Sequence, residues 1–302
     1  MTHEIQVRSY AKVNYTLDVL NLRQDGFHSI ASVMQSVSLS DEPVVARCEG
    51  AGIEVVCDSP DVPSDASNLA ARAAAAVLDA AGRSDGLRIT LRKRIPAQAG
   101  LGGGSSNAAY AMRAANELLG LGMSPARLAD LAPTLGSDVP FFLRGGTAVV
   151  RGRGERVAEL PDGPPLWFVI VKPDVSVSTA AAYSALDAVP ARQSARSTGA
   201  MQGLLETGDA GRVIARMTND FEQVVIPDHL PVALLCDDLM MARASNVRLC
   251  GSGSAVFGVV ETCEDAEAVA ARMRRKYQGV HVCRALTRAE ALNTEEWGTG
   301  RQ

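Results

Sequence analysis

The chain has 302 residues, 47% of them hydrophobic and 21% charged, which is enough for one large globular core or two ordinary ones. Its 30 Lys and Arg against 34 Asp and Glu give a net charge of −4, with no basic run longer than RKR (92 to 94) and RMRRK (272 to 276), and this argues against a nucleic-acid partner. Six cysteines without CxxC spacing argue against a zinc site or a disulfide framework; with no signal pattern and no long apolar run, a cytoplasmic protein without membrane attachment is expected.

In chain order, apolar residues alternate from Ile5 to Val19 and again at Leu87, Ile89 and Leu91, the period of half-buried strands. Between them NLAARAAAAVLDA (68 to 80) predicts a helix opened by Ser67 or Asn68 and closed by Gly82. A second helix is expected from Ser105 or Ser106 to Gly120, and a short third one from Ser124-Pro125, an N-cap followed by proline. GGTAVVRGRGERVAEL (145 to 160) reads as a hairpin and PDGPP (161 to 165) as a linker. Beyond it the order is a strand (167 to 171), several helices, strands at Asn246 to Leu249 and Ala255 to Val260, a helix from Asp265 to Tyr277 and a strand from Val280 to Ala285. That is βαββαβ with inserted helices, so the fold class is α+β in two domains, 1–163 and 164–302.

The stretch IPAQAGLGGGSSN (95 to 107) places Gly100, Gly102, Gly103 and Gly104 between a strand and a helix. Glycines there permit positive φ and close approach, the first helix N–H groups lack intrahelical partners, and no acidic residue precedes Glu117 in the helix. The combination suits a phosphate, with Ser105 and Ser106 as further donors. GxxxxGK[ST] is excluded because no Lys-Ser/Thr follows, and GxGxxG because Ser105 takes the last glycine's place. A flexible linker or a plain N-cap turn is the competing reading.

PAQAGLGGGSSNAA (96 to 109) resembles the phosphate-loop motif of the GHMP small-molecule kinases. AKVN (11 to 14), RQDGFHSI (23 to 30), TLGSDVPFFLRGGTA (134 to 148) and LCGSGSAVFG (249 to 258) together resemble the branch of that family that acts on a cytidine diphosphate-linked methylerythritol. The resemblance implies an N-terminal half like the second domain of ribosomal protein S5 and a ferredoxin-like C-terminal half. It also implies ATP with Mg²⁺, phosphorylation of the substrate's 2-hydroxyl, and a place in the non-mevalonate route to isoprenoid precursors. A monomer or weak dimer is expected.

The resemblance further implies a catalytic pair, Lys12 and Asp138, and an ATP loop of Pro96, Ala97, Gln98, Ala99, Gly100, Leu101, Gly102, Gly103, Gly104, Ser105, Ser106 and Asn107, with Lys93 beside it. On residue type alone, Asp138 between Gly136 and Pro140 also fits an N-cap or Asx-turn, Lys12 a solvated strand edge, and Lys93 a solvated strand end. Whether Asp138 takes the hydroxyl proton or orients it is open, since both demand the same placement.

For the substrate, the resemblance implies stacking of cytosine between Phe27 and Tyr183, hydrogen bonds from His28 and Asn14, and further contacts at Thr179, Gly251 and Gly253. Phe27 and His28 follow Asp25-Gly26 and are expected to project from a loop. Thr179 also fits an N-cap of the helix after it, and Gly251-Ser252-Gly253 a plain hairpin turn. Two positions depart from the family pattern: Phe27 where tyrosine is common, and Gln98 where glycine is usual. Two rival functions remain: a homoserine or mevalonate kinase, opposed by the Asn14, Phe27, His28 and Tyr183 set, and a non-catalytic or RNA-associated module, opposed by the charge and the 4% aromatic content.

Overall fold

The computed structural model describes residues 3–190 and 194–292. The alternation predicted from Ile5 to Val19 is divided into β1 (Glu4–Gln6) and β2 (Ser9–Leu22), and β2 turns back through Asp25-Gly26 into β3 (His28–Cys48). Gly26, at φ +81°, donates its N–H to the Arg23 carbonyl and closes the turn. β3 is the spine of the first sheet. Its first half pairs with β2 and with β6 (Thr147–Gly152), and its second half with β1 and with β5 (Gly86–Arg92). β4 (Gly52–Cys57) joins β5 in parallel, and β7 (Arg156–Glu159) completes the predicted hairpin with β6.

Two alanine-rich helices pack against each other and on this sheet. α1 (Leu69–Ala80) is capped by Asn68, whose side chain accepts from Ala70 N at 2.9 Å, and is followed by Gly82 at φ +63°. α2 (Gly103–Leu118) starts earlier than the serines suggested. Gly102 is the N-cap at φ +73°, so Gly103 and Gly104 form the first turn and the serines follow them. Alanine at the α1–α2 contact lets the backbones approach closely, and Val77, Leu78, Met112 and Leu118 fill the core beneath. α3 (Pro125–Leu131), with Ser124 as N-cap, leads through a 3₁₀ turn (Ala132–Thr134) to α4 (Val139–Arg144).

The second sheet has the order β10-β11-β8-β12, formed by β8 (Trp167–Lys172), β10 (Asn246–Leu249), β11 (Val256–Val260) and β12 (Gly279–Arg284), all antiparallel. Its βαββαβ connectivity gives the ferredoxin-like arrangement expected from the sequence. Between β8 and β10 the chain makes α5 (Thr179–Asp187), α6 (Thr198–Thr207), α7 (Ala210–Ala215), the short β9 (Thr218–Asn219), α8 (Glu222–Asp228) and α9 (Leu230–Met241). α10 (Cys263–Met273) begins two residues before and ends four residues before the predicted helix, and α11 (Arg288–Leu292) closes the described chain. Thr262 causes the earlier start, because its side chain accepts from Asp265 N at 3.1 Å and so caps the helix there.

The two halves share a second apolar core. Val13, Tyr15, Val33 and Val37 on one face of β2–β3 meet Phe168, Ile170 and Phe257 of the second sheet. β9 adds to the first sheet beside β2, and Asp18 accepts from Ser197 N and Thr198 N at 3.0 Å each, fixing the start of α6 on β2. Because Val13 and Tyr15 face this core, the period of two turns Lys12 and Asn14 to the opposite side, where the site lies.

Candidate active site

Lys12 is only 4% exposed, which corrects the solvated-edge alternative, and its backbone N–H donates to Leu101 O at 3.0 Å, docking the glycine loop on β2. Lys12 Nζ donates to Asn14 Oδ1 at 2.9 Å, Asn14 Nδ2 to Ser32 Oγ at 2.8 Å, and Ser32 Oγ to the Thr16 carbonyl at 2.5 Å. This chain of bonds fixes the ammonium on a rigid sheet. Asp138 stands at the N-cap position of α4, yet its carboxylate makes no capping bond. It lies instead 3.8 Å from Lys12 Nζ, too far for a hydrogen bond, so both groups keep capacity for a third partner.

The glycine loop is shaped by close contacts. A Cβ on Gly102 would lie 2.7 Å from the Phe142 ring, and one on Gly103 2.9 Å from Ile95. A Cβ on Gly104 would meet nothing within 4 Å. The first hydrogen bond within α2 is Ser106 N to Gly102 O at 2.9 Å, which leaves the N–H groups of Gly103, Gly104 and Ser105 without intrahelical partners. Gln98 takes φ +51°, the region where glycine is the easy choice.

Lys93 is not at a solvated strand end. Its ammonium is buried against Asp41 and donates to Asn107 Oδ1 at 3.0 Å. Asp41, fully buried, also accepts from Arg94 N at 2.7 Å, Ile95 N at 2.8 Å and Asn107 Nδ2 at 3.0 Å. These two proposed ATP contacts therefore clamp the strand before the loop to the helix after it. Asp41 was not legible as part of the site.

A cavity of about 400 Å³ runs along the loop, lined by Lys93, Pro96, Ala97, Gln98, Ala99, Gly100, Leu101, Gly102, Gly103, Gly104, Ser105 and Asn107, and walled on its far side by Asp61, Val62, Pro63 and Leu69. Ser106 does not line it, because at the fourth position of α2 it is turned inward and buried. Sequence reading missed the 61–69 wall, which carries no motif.

A second cavity, of about 710 Å³, shares Gly100 and Gly102 with the first. Lys12, Asn14, Phe27, His28, Asp138, Thr179, Tyr183 and Gly251 all line it, from both halves of the chain. His28 is not on the loop: it opens β3, is 8% exposed, and its ring stacks on Tyr183 at 4.9 Å and 10°. Tyr183 meets Phe221 edge-on at 4.8 Å, and burial, then the Asp138 charge, push its phenol pKa up to about 12, so it stays neutral. Phe27 is 52% exposed, with the Arg153 guanidinium 4.8 Å from its ring centre.

Thr179 is not the cap of α5; Ser178 is, and Thr179 Oγ1 bonds Ser252 Oγ at 2.8 Å. Gly251 lines the cavity, whereas Gly253 does not, and a Cβ on it would point at Leu249, Val225 and Val177. Arg153, Asp187, Phe221 and Ser252 also line this cavity and were not singled out from the sequence. Asp187 follows Tyr183 by four residues, the spacing that shares a helix face, and could have been found that way.

Among the described residues no helix is long and apolar enough to cross a membrane, and no group of three His, Cys, Asp or Glu side chains could hold a metal unaided. The GHMP kinases N terminal domain model matches residues 68–146 and the GHMP kinases C terminal model residues 200–279. The chain is 44% identical to 4-diphosphocytidyl-2-C-methyl-D-erythritol kinase of Pelotomaculum thermopropionicum, across 91% of this chain and 96% of the relative. The protein of that name from Moorella thermoacetica is 41% identical, across 92% and 98%. A crystal structure of 4-(cytidine 5'-diphospho)-2C-methyl-D-erythritol kinase superposes with TM-score 0.77 at 33% identity, covering 93% of this chain and 99% of that one. Homoserine kinase from Cytophaga hutchinsonii, 21% identical, superposes with TM-score 0.72 over 95% and 96% and shares the fold. With both halves matched and identity above 40% sustained over nine-tenths of its length, the chain belongs to the 4-diphosphocytidyl-2-C-methyl-D-erythritol kinase family of the GHMP kinases.

Proposed function

We propose that this phosphotransferase moves the γ-phosphoryl group of ATP to the 2-hydroxyl of 4-diphosphocytidyl-2-C-methyl-D-erythritol, a step of the non-mevalonate route to isoprenoid precursors. The observation that carries the reading is the Lys12–Asp138 pair, 3.8 Å apart, beside the glycines that the two cavities share. ATP in the loop cavity and an alcohol in the larger one would meet there.

The phosphates of ATP lie on the free N–H groups of Gly103, Gly104 and Ser105 at the positive end of α2, and the nucleoside extends along the 61–69 wall. The open space beside Gly104 receives the phosphates. In the larger cavity Phe27 and Tyr183 stack on cytosine, His28 bonds the base, and Asn14, Thr179 and Gly251 contact the remainder of the substrate. Asp138 accepts the hydrogen bond of the 2-hydroxyl, so that the hydroxyl oxygen's lone pair is aimed at the γ-phosphorus, and takes the proton as the new P–O bond forms, the bond to the β,γ-bridging oxygen breaks and ADP leaves. Lys12 offsets charge on the transferring group from a fixed position, so little reorganisation accompanies the reaction.

Mg²⁺ fits this site as an ion carried by ATP. It would be held by the phosphates and water rather than by a dedicated protein cage. When bound, it neutralises phosphate charge. The same reading divides the chain at 163/164, the first half holding the phosphate loop and the second contributing α5 and the 249–252 turn.

Asp138→Asn keeps the shape and removes the proton acceptor. Its kcat should fall by roughly 10² to 10⁴ with ATP affinity within about threefold of wild type. Turnover at the wild-type rate would remove Asp138 from the mechanism.

A further inference from the structure

Asp187, the last residue of α5, reaches across the larger cavity's wall to the ring of His28, 159 positions earlier, with Oδ1 2.8 Å from Nε2. An acid at a helix C-terminus opposes the macrodipole, and α5 has no basic residue in its last turn to balance it. The helix gains nothing from this carboxylate, and its partner is the imidazole.

A carboxylate only accepts, so in the neutral ring the bond holds the proton on Nε2 and leaves Nδ1 as a bare lone pair. Nδ1 has no hydrogen-bond partner among the described residues, and the ring lines the cavity. Its plane is fixed by the stack on Tyr183, itself held edge-on by Phe221. His28 therefore offers the cavity one acceptor in one orientation.

We propose that Asp187 is a positioning residue that makes His28 an acceptor toward the base edge, selecting a base with an exocyclic amine over one with a carbonyl in its place, cytosine over uracil. The inference rests on the functional reading above and deepens it. The amine donates to Nδ1, whereas a carbonyl would set one lone pair against another and leave both unsatisfied. Lost hydrogen bonds of this kind discriminate by roughly tenfold to a hundredfold.

Two measurements on the full chain test the inference. Imidazole ¹⁵N shifts of the wild type at about pH 8, above the ordinary imidazole range, should show His28 protonated at Nε2 and bare at Nδ1. Asp187→Ala puts a better helix former at an exposed helix end and should unfold within a few degrees of wild type. It should populate both tautomers, raise KM for the cytidylated substrate about tenfold with kcat within about threefold, and shrink the preference over the uridylated analogue about tenfold.

A wild-type ring protonated at Nδ1, or an Asp187→Ala ring that keeps the wild-type tautomer, overturns the proposal. So does cytidylated turnover with an unchanged preference in Asp187→Ala, which leaves the functional reading standing. Turnover of neither compound by the wild type overturns both.

Discussion

Gly100 and Cys250 bring the two halves of the molecule into backbone contact at the candidate active site: a Cβ on Gly100 would lie 1.8 Å from the Cys250 carbonyl oxygen. Gly100 also sits at φ +76°, and the adjoining Gly251 would place its own Cβ 3.1 Å from Gly100 O and 3.3 Å from Lys12 Nζ. Two glycine turns, one from each half, are in backbone contact beside Lys12. Gly100→Ala must therefore move the loop or the turn. The left-handed conformation alone costs about 1–2 kcal/mol. We expect a total loss above about 3 kcal/mol in thermal or denaturant unfolding, with kcat down at least about tenfold. Wild-type stability in this variant would mean that the two turns do not touch in solution.

Gly104 makes the opposite prediction. Nothing lies within 4 Å of its missing side chain, and its place in the first turn of α2 does not require glycine for packing. Gly104→Leu should keep or slightly raise stability, because leucine is the better helix former by up to about 1 kcal/mol. The side chain would enter the loop cavity, so KM for ATP should rise at least about tenfold. An unchanged KM would move the phosphates elsewhere.

The buried Asp41 carboxylate has four donors, and Lys93 is one of them. Asp41→Ala strands a buried ammonium and three further donors and should cost about 3–5 kcal/mol. Lys93→Met leaves the carboxylate with its two backbone donors and Asn107, and should cost distinctly less in the same denaturant titration. Equal or reversed losses would show that the ion pair, rather than the backbone bonds, holds the loop.

Much of this was legible in the sequence, for identifiable reasons. Asn68, Ser124 and Gly82 mark helix ends by local chemistry that nothing tertiary overrides. The second half's strands are short and apolar, and their order alone specified the βαββαβ sheet. β3 was not singled out, since Asp41, Glu42 and Pro43 in its middle are poor strand formers. The strand survives there because Pro43 falls between the residues that pair with β2, up to Asp41, and those that pair with β1, from Val44, and because the loop's own N–H groups satisfy Asp41. The start of α2 was misplaced because serine is the commoner N-cap, while here Gly102 takes a left-handed cap against Phe142. Lys12, Asn14 and Asp138 stood out by motif. Arg153 and the 61–69 wall reach the site only through tertiary contact, which no local pattern announces.

The most direct measurement is ADP release from Mg·ATP with 4-diphosphocytidyl-2-C-methyl-D-erythritol, beside homoserine and mevalonate. Turnover with the cytidylated compound alone is predicted, because Phe27, His28 and Tyr183 border the cavity that opens on Lys12 and Asp138. Turnover with homoserine or mevalonate instead would contradict the pocket assignment, and ADP release with none of the three would contradict the proposed reaction.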